Sequence, residues 1–332
     1  MVIIIGLSLK MKISAKIVSQ IYYQILRIRE IESRISKEYT EWKMRCPVHL
    51  SIGQESVAAP LSVLFKNKKY EVLSGHRAHA HYLGKGGNLF KLISEIMGKS
   101  TGCSGGRGGS MHLIDKDVGF LLSTAIVANS IPVAAGVALS KKIKKEKGLA
   151  LVFFGDGAIE EGVFYETINF SIIKNLPIIF ICENNKYSVY SNLDVRQPKN
   201  RKIHKMVEKI GIKSVFSNGL NAIEIYQKFL YAKNYVERKN KPIFLEINTY
   251  RYLEHCGPFD DDSLKYRPKK EIDFWKKNDP LTFLEKKYDK ILNKKKINNY
   301  KNKISNEINL SFNKAKRSKY PKSSIKDKEI YA

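Results

Sequence analysis

Apolar residues along this chain follow two periods, and the change from one to the other marks out its elements. Between residues 14 and 43, Ile17, Ile21, Ile25, Ile28 and Ile35 return at helical spacing with Arg and Glu between them, which predicts one long amphipathic helix. The stretch "HLSIGQESVAAPLSVLF" then turns at Gly53 and enters an apolar helix. In the middle of the chain the helical repeat gives way. "ALVFF" and "IIFIC" are short unbroken apolar runs, the pattern of strands buried on both faces of a parallel sheet. Between them, Glu160 to Lys174 carries Phe164, Ile168 and Ile172 on one helical row, and Pro177 stops the helix. Strand, helix and strand within about 35 residues make a βαβ unit, and "PIFLEINTYR" supplies a third strand. This alternation predicts an α/β fold: a mostly parallel sheet with helices on both faces.

Two further stretches have a distinct texture. From Gly98 to Gly109, six of twelve residues are glycine, in "GKSTGCSGGRGG". That density excludes helix, at a cost of roughly 1 kcal/mol per glycine, and marks a loop whose backbone approaches something closely. "AIVANSIPVAAGVALSKKIKK" follows as a small-residue helix suited to tight packing. The expected organisation is an N-terminal extension at 1–13, an α/β domain at 14–265 and a basic helical end at 266–332.

Composition narrows the class. A chain of 332 residues is long enough for a large core. Four scattered cysteines (Cys46, Cys103, Cys182, Cys256) form no CxxC pair, which suits a reducing cytoplasm and argues against both a disulfide framework and a zinc site. No apolar run approaches the roughly 20 residues that span a bilayer. The opening "MVIIIGLSLK" lacks a basic leader and a small-residue cleavage site; it reads as an unstructured extension, with Met11 as an alternative start. The net charge of +27 raises nucleic-acid binding, and residues 266–332 hold 20 Lys/Arg against 8 Asp/Glu. No nucleic-acid-binding motif accompanies that excess, so it reads as solvated helix faces and a loosely ordered tail. A non-catalytic basic interaction protein is the reading that charge alone would favour.

Chemistry enters at the ends of the central strands. Ligands of parallel α/β sheets bind at the carboxyl ends of strands. Gly155-Asp156-Gly157 closes the first strand and Glu183-Asn184-Asn185 closes the second. Alone, a GDG before a helix is explained by helix capping. With the strands side by side, Asp156 and Asn185 would offer one carboxylate and one amide oxygen, hard ligands suited to Mg²⁺ or Ca²⁺. One carboxylate is a weak site by itself, so ligand oxygens, most simply phosphates, would complete it, with helix N–H groups facing them.

GDG, 26 residues and NN, each closing an apolar strand, resembles the thiamine-diphosphate fingerprint. Taken with "HLSIGQE", "GHRAH", "SGGRGGSMH", "IVANSIP" and "TYRYLEHC", the text from Ser14 to Ala332 resembles the α subunit of the decarboxylating component of 2-oxo acid dehydrogenases, a family holding pyruvate, branched-chain and acetoin dehydrogenase α chains. The resemblance implies thiamine diphosphate and Mg²⁺, with Asp156, Asn185 and the Tyr187 carbonyl as metal ligands. It implies backbone contacts from Gly157 and Ala158 to the diphosphate, a phosphate clamp at Arg77, and His76 and His255 beside it. Backbone groups of Ala125 and Val127 would hold the aminopyrimidine. His255, His49 and His79 would serve catalysis, with His49 meeting the 2-oxo acid. The implied reaction is oxidative decarboxylation, most simply of pyruvate, with acyl transfer to lipoyl. A β subunit would supply the pyrimidine-binding half in an α₂β₂ assembly, with a lipoyl acyltransferase as further partner.

Six of the seven histidines (His49, His76, His79, His81, His112, His255) fall within these motifs and only His204 lies outside. Arg107 and Ser110, in the glycine loop, would shape a channel or a structural turn. The match also departs from the family's usual text: Glu254 stands for a glycine, Cys256 for a serine, His76 for a tyrosine and Ala128 for a glycine. These changes fall on the substrate side, so an acetoin dehydrogenase or a thiamine-dependent ligase or transketolase-like enzyme of carbohydrate metabolism is the alternative.

Overall fold

Strands form where the sequence is continuously apolar, and they come together in one parallel sheet. The computed structural model of the chain describes residues 13–322 apart from 42 and 45. The proposed extension, except for Ile13, and the last ten residues of the basic end lie outside the described residues. The strands are β1 (Tyr70–Ser74), β2 (Phe120–Ser123), β3 (Leu149–Gly155), β4 (Ile178–Asn184), β5 (Tyr187–Ser188), β6 (Ser191–Asn192), β7 (Lys213–Ser217) and β8 (Ile243–Asn248). Six of them make the sheet in the order β2-β1-β3-β4-β8-β7, every pair parallel, while β5 and β6 form a small antiparallel hairpin.

Around the sheet lie α1 (Ala15–Tyr39), α2 (Glu55–Ala58), α3 (Leu61–Leu64), α4 (His79–Lys85), α5 (Leu89–Ile96), α6 (Ser130–Ile143), α7 (Gly162–Ile173), α8 (Leu193–Arg196), α9 (Ile203–Ile210), α10 (Ala222–Lys239), α11 (Lys269–Lys277), α12 (Pro280–Lys287) and α13 (Lys294–Arg317). Side chains of a strand alternate between faces, and β3 divides accordingly. Leu151 and Phe153 join the core under α1, α10 and α13, whereas Ala150, Val152 and Phe154 join the one under α6, α7 and α9. On the second face Ala134, Ala135 and Ala138 of α6 are buried, so the helix packs closely on the sheet as its small residues suggested. Burial on both faces is what made these strands read as unbroken apolar runs.

The expected first helix is present but ends at Tyr39, whose hydroxyl donates to the Cys46 carbonyl (2.9 Å) and fastens the following turn back. The basic end is less solvated than its composition suggested. Ile304, Ile308, Phe312 and Ala315 line one face of α13 and are buried in the same core as α1. Arg27 to Glu307 and Lys316 to Glu38 (both 2.6 Å) tie the two helices at their rims. Among the described residues no helix is long and apolar enough to cross a membrane.

Candidate functional site

Parallel register brings the two strand-end motifs to one edge. Gly155 of β3 lies opposite Glu183 of β4, so the residues that follow, Asp156 and Asn184-Asn185, emerge side by side. Asp156 opens a 3₁₀ turn, Asp156–Glu160, before α7 begins at Gly162; the N–H groups facing the edge therefore come from this turn rather than from a helix starting at Glu160. The Asp156 carboxylate is 1% exposed. Burial pushes its pKa up, and the Arg196 guanidinium and the backbone N–H groups of Asp156 and Asn185 pull it back. Arg196, on α8, forms ion pairs with both Asp156 and Glu160. A cation thus already rests on the carboxylate proposed for a metal.

The two asparagines divide their roles. Asn184 turns inward and donates to Glu246 (2.8 Å) behind the sheet edge. Asn185 faces the site, accepting from the Tyr187 N–H (2.9 Å) and donating to Gln54 (3.2 Å). In front of them the backbone is bare. A Cβ on Gly155 would meet nothing within 4 Å, whereas one on Gly157 would press on Ser188 Oγ at 3.0 Å. The edge opens into a cavity of about 140 Å³ lined by Asp156, Asn185, His76, Arg77, His81 and His255, among others.

Arg77, His76 and His255 form the opposite wall, with His49 buried against the two imidazoles. The Arg77 guanidinium donates to the carbonyls of Leu50 and His255 (the latter 3.0 Å), stapling two separate segments. Those segments also meet directly, as Gly257 donates to the Val48 carbonyl (2.8 Å). Ring centroids lie 4.6 Å apart for His49 and His76, 5.1 Å for His49 and His255, and 5.4 Å for His76 and His255. Burial, then His76 and Arg77, pushes the His49 pKa down to about 2. Burial and Arg77 bring His76 down to about 4 and His255 to about 3. Burial, with Arg251 next, takes Arg77 itself down to about 10. At pH 7 this cluster holds one guanidinium and three neutral imidazoles. Glu254, in place of the family's usual glycine, closes the His255 turn by accepting from the Phe259 N–H (3.0 Å), while Cys256 is exposed.

Other predicted residues stand around this surface. His79 is fully buried, bonds Ser110 Oγ (2.8 Å) and lies 3.4 Å from Glu32, which also accepts from the Ser51 N–H (2.6 Å). His79 therefore links the glycine loop, α1 and the His49 segment rather than facing the cavity. His81 sits between Ser74 Oγ (2.8 Å) and Glu183 (3.2 Å), stacked on Phe153. His112 approaches the Ala125 N–H (3.4 Å). Val127 is half exposed and lines the cavity with Ala128, which takes the left-handed φ of 62°. His204 pairs with Glu246 (2.6 Å), outside the cavity as expected.

Sequence reasoning missed two residues that shape the site. Arg196 was one. The other is Glu95, whose buried carboxylate accepts from the N–H groups of Ser104 (2.7 Å), Gly106 (2.9 Å) and Gly108 (2.7 Å). The glycine loop winds round Glu95, and a Cβ on Gly102 would fall 2.1 Å from its Oε2. Its close approach is to the protein itself. The only local signal was an acid on an otherwise apolar helix face. The acidic run 260–262 is likewise tied down: Asp261 is buried against Arg267 and, at 4.0 Å, Arg251.

The donor set fits a hard divalent cation and a diphosphate. Asp156, Asn185 and the Tyr187 carbonyl are oxygens gathered at one edge, a cationic group already balances the carboxylate, and the adjoining backbone carries no side chain.

Comparison with known proteins gives the family. Residues 23–324 match the family described as dehydrogenase E1 component. The chain is 34% identical over 265 residues to the pyruvate dehydrogenase E1 component subunit alpha of Rickettsia bellii, covering 80% of each. It is 32% identical over 268 residues to that of Zymomonas mobilis, covering 80% of this chain and 75% of the relative. The mitochondrial alpha-2 subunit of Arabidopsis thaliana is 32% identical over 308 residues, 91% of this chain and 76% of that one. Among solved structures, transketolase from Campylobacter jejuni superposes with a TM-score of 0.56 at 17% identity; 81% of this chain spans 49% of the transketolase, a likeness of fold alone.

Proposed function

The chain belongs to the dehydrogenase E1 component family, and from that membership we propose that it is the α subunit of a pyruvate dehydrogenase decarboxylating component, holding thiamine diphosphate through Mg²⁺ and working with a β subunit. One observation supports the reading: the buried Asp156 carboxylate, between two glycines at the carboxyl edge of β3, lines one cavity with Asn185 and Tyr187. Mg²⁺ would rest on Asp156, the Asn185 side-chain oxygen and the Tyr187 carbonyl. Backbone groups of Gly157 and Ala158, with Arg77, His76 and His255, would hold the diphosphate, and those of Ala125 and Val127 the aminopyrimidine. When bound, thiamine diphosphate supplies the nucleophilic carbon and the electron sink for decarboxylating a 2-oxo acid.

The remaining work belongs to this chain's side chains. His255, neutral at the cavity wall, and His49 packed against it can orient a substrate by hydrogen bonds from their imidazole nitrogens. His79, through Ser110 and Glu32, fixes the segments that carry them. Ile126, Val127, Val133, Phe170 and Ile173 leave substantial apolar area exposed, which supports a second chain docking there in an α₂β₂ assembly. The acyl group would pass to lipoyl on an acyltransferase, in the cytoplasm. The alternative carbohydrate enzyme gains nothing from the transketolase likeness, which concerns the fold.

The test is to purify the chain with and without the β subunit and to follow decarboxylation of pyruvate and branched-chain 2-oxo acids with an artificial electron acceptor. Turnover of pyruvate only by the pair is expected. Full turnover by the lone chain would overturn the two-subunit site. In parallel, Asp156→Ala should abolish Mg²⁺-dependent cofactor binding in calorimetry, and unchanged affinity would remove the metal-diphosphate reading.

A further inference from the structure

We propose that His49, His76 and His255 together form a seat for a borderline transition-metal ion, with zinc as its natural occupant, separate from the oxygen-lined place of Mg²⁺. One ring nitrogen from each imidazole lies within 4.8 Å of the others. His49 is 6% exposed and its buried Nδ1 has no hydrogen-bond partner, so nothing in the protein claims that nitrogen. Each ligand comes from a different segment, and those segments are fixed. Arg77 holds the carbonyls of Leu50 and His255, and Gly257 holds that of Val48. His76 immediately precedes Arg77. The backbone is therefore preorganised, and only ring rotations separate the present geometry from coordination.

Distance sets the size of that adjustment. Zinc–nitrogen bonds of about 2.0–2.1 Å put tetrahedral ligand nitrogens roughly 3.4 Å apart, so each ring must move by about an ångström or less. An all-nitrogen set selects zinc, cobalt or nickel over Mg²⁺, whereas Asp156, Asn185 and the Tyr187 carbonyl select the reverse. Three protein ligands leave a fourth position open to the cavity. Arg77 beside the seat opposes a dication, so that fourth ligand is an anion: chloride, or the carboxylate of a small acid. The third nitrogen comes from His76, which stands where the family's usual residue is a tyrosine.

The consequence rests on the proposed thiamine reading. His76 and His255 cannot serve a zinc ion and a diphosphate together, so zinc blocks cofactor entry and bound cofactor protects against zinc.

The experiment titrates the full-length chain, freed of metal and cofactor, with Co²⁺ as spectroscopic probe and with Zn²⁺ against a chromophoric chelator. The expected result is one ion per chain, intense tetrahedral ligand-field bands, and loss of both on adding zinc. His76→Tyr and His49→Ala should each weaken zinc by at least about tenfold with an unchanged melting temperature in the absence of metal; His204→Asn should leave affinity unchanged. Equal affinity in wild type and both cavity variants, or weak octahedral bands, would overturn the seat. Zinc bound at the seat in a chain that, even when assembled with its β subunit, takes up no Mg²⁺–thiamine diphosphate would support the seat and remove the cofactor reading instead.

Discussion

Replacing Arg196 with Met removes the cation from Asp156 while keeping the aliphatic stem that lies along the hairpin. Without Mg²⁺, Asp156 is left as a buried, unpaired carboxylate, since its side chain is 1% exposed and Arg196 only 12%. Breaking such a pair from one side costs about 3–5 kcal/mol, and part of this is relieved because Asp156, already pushed upward by burial, takes a proton instead. A net loss of about 2–3 kcal/mol is expected, lowering the melting temperature by several degrees. With Mg²⁺ the sign reverses. In the native chain the metal must first displace a guanidinium whose hydrogen bond to a carboxylate is worth about 1.5–3 kcal/mol, and Glu160 remains to receive the displaced group. The variant escapes that competition, so Mg²⁺ half-saturation should fall about tenfold or more. The assay is calorimetric titration of Mg²⁺ at saturating thiamine diphosphate on the assembled enzyme, with melting curves at zero and saturating Mg²⁺. A stability gap that closes on adding Mg²⁺ is the signature. Unchanged melting and unchanged half-saturation would show that the ion pair has no energetic weight. Weaker Mg²⁺ binding in the variant would show that Arg196 assists the cofactor rather than standing in its place.

Acid should destabilise the chain through its imidazole wall: unfolded histidine titrates near 6.5, whereas His49, His76 and His255 stay neutral down to about 2, 4 and 3, so the unfolded state binds more protons. Stability is therefore full above about pH 6.5 and falls as pH drops toward 4, with an upper bound of roughly 4 kcal/mol per pH unit that solvent screening reduces; denaturant midpoints at pH 7, 6 and 5 check it, and a flat profile in that window refutes it. Ala128→Gly should be neutral within about 0.5 kcal/mol, because relief of roughly 1–2 kcal/mol of left-handed strain is offset by glycine entropy and by loss of a buried methyl worth about 0.8 kcal/mol; a gain above about 1.5 kcal/mol in urea unfolding would show that the methyl packs against nothing. Glu95→Gln should keep two of the three loop hydrogen bonds and set an amide donor against the Gly108 N–H, costing about 2–4 kcal/mol; faster tryptic cleavage after Arg107 is the measurement, and native-rate cleavage would refute the loop's dependence on that carboxylate.

What could be read from the sequence was what has a period or a fixed spacing. The βαβ unit was legible because β3 and β4 are buried on both faces, and parallel register then obliged Asp156 and Asn185 to share an edge. Arg196 was not legible: it meets Asp156 across 40 residues through a hairpin of no periodic character. Glu95 was hidden for a related reason, since the glycines announced a close approach without naming the group approached. In α13 the apolar row Ile304, Ile308, Phe312 and Ala315 is diluted by lysine and asparagine, so composition suggested solvent where packing against α1 prevails. His79 read as a member of the site by its motif, and only its contacts with Ser110 and Glu32 distinguish holding a segment from touching a ligand.

The contact between α1 and α13 bears on how the chain comes off the ribosome. The apolar stripe of α1 is made long before part of its cover, residues 294–317. Until those residues are made α1 lacks that neighbour, and the parallel strands can only pair in the order that long crossovers allow. The nascent chain therefore spends most of its synthesis with a sticky N-terminal helix, a period in which chaperone binding competes with aggregation. A chain stopped short of residue 294 would remain in that condition, whereas synthesis of residues 294–317 lets α1 and α13 close on each other.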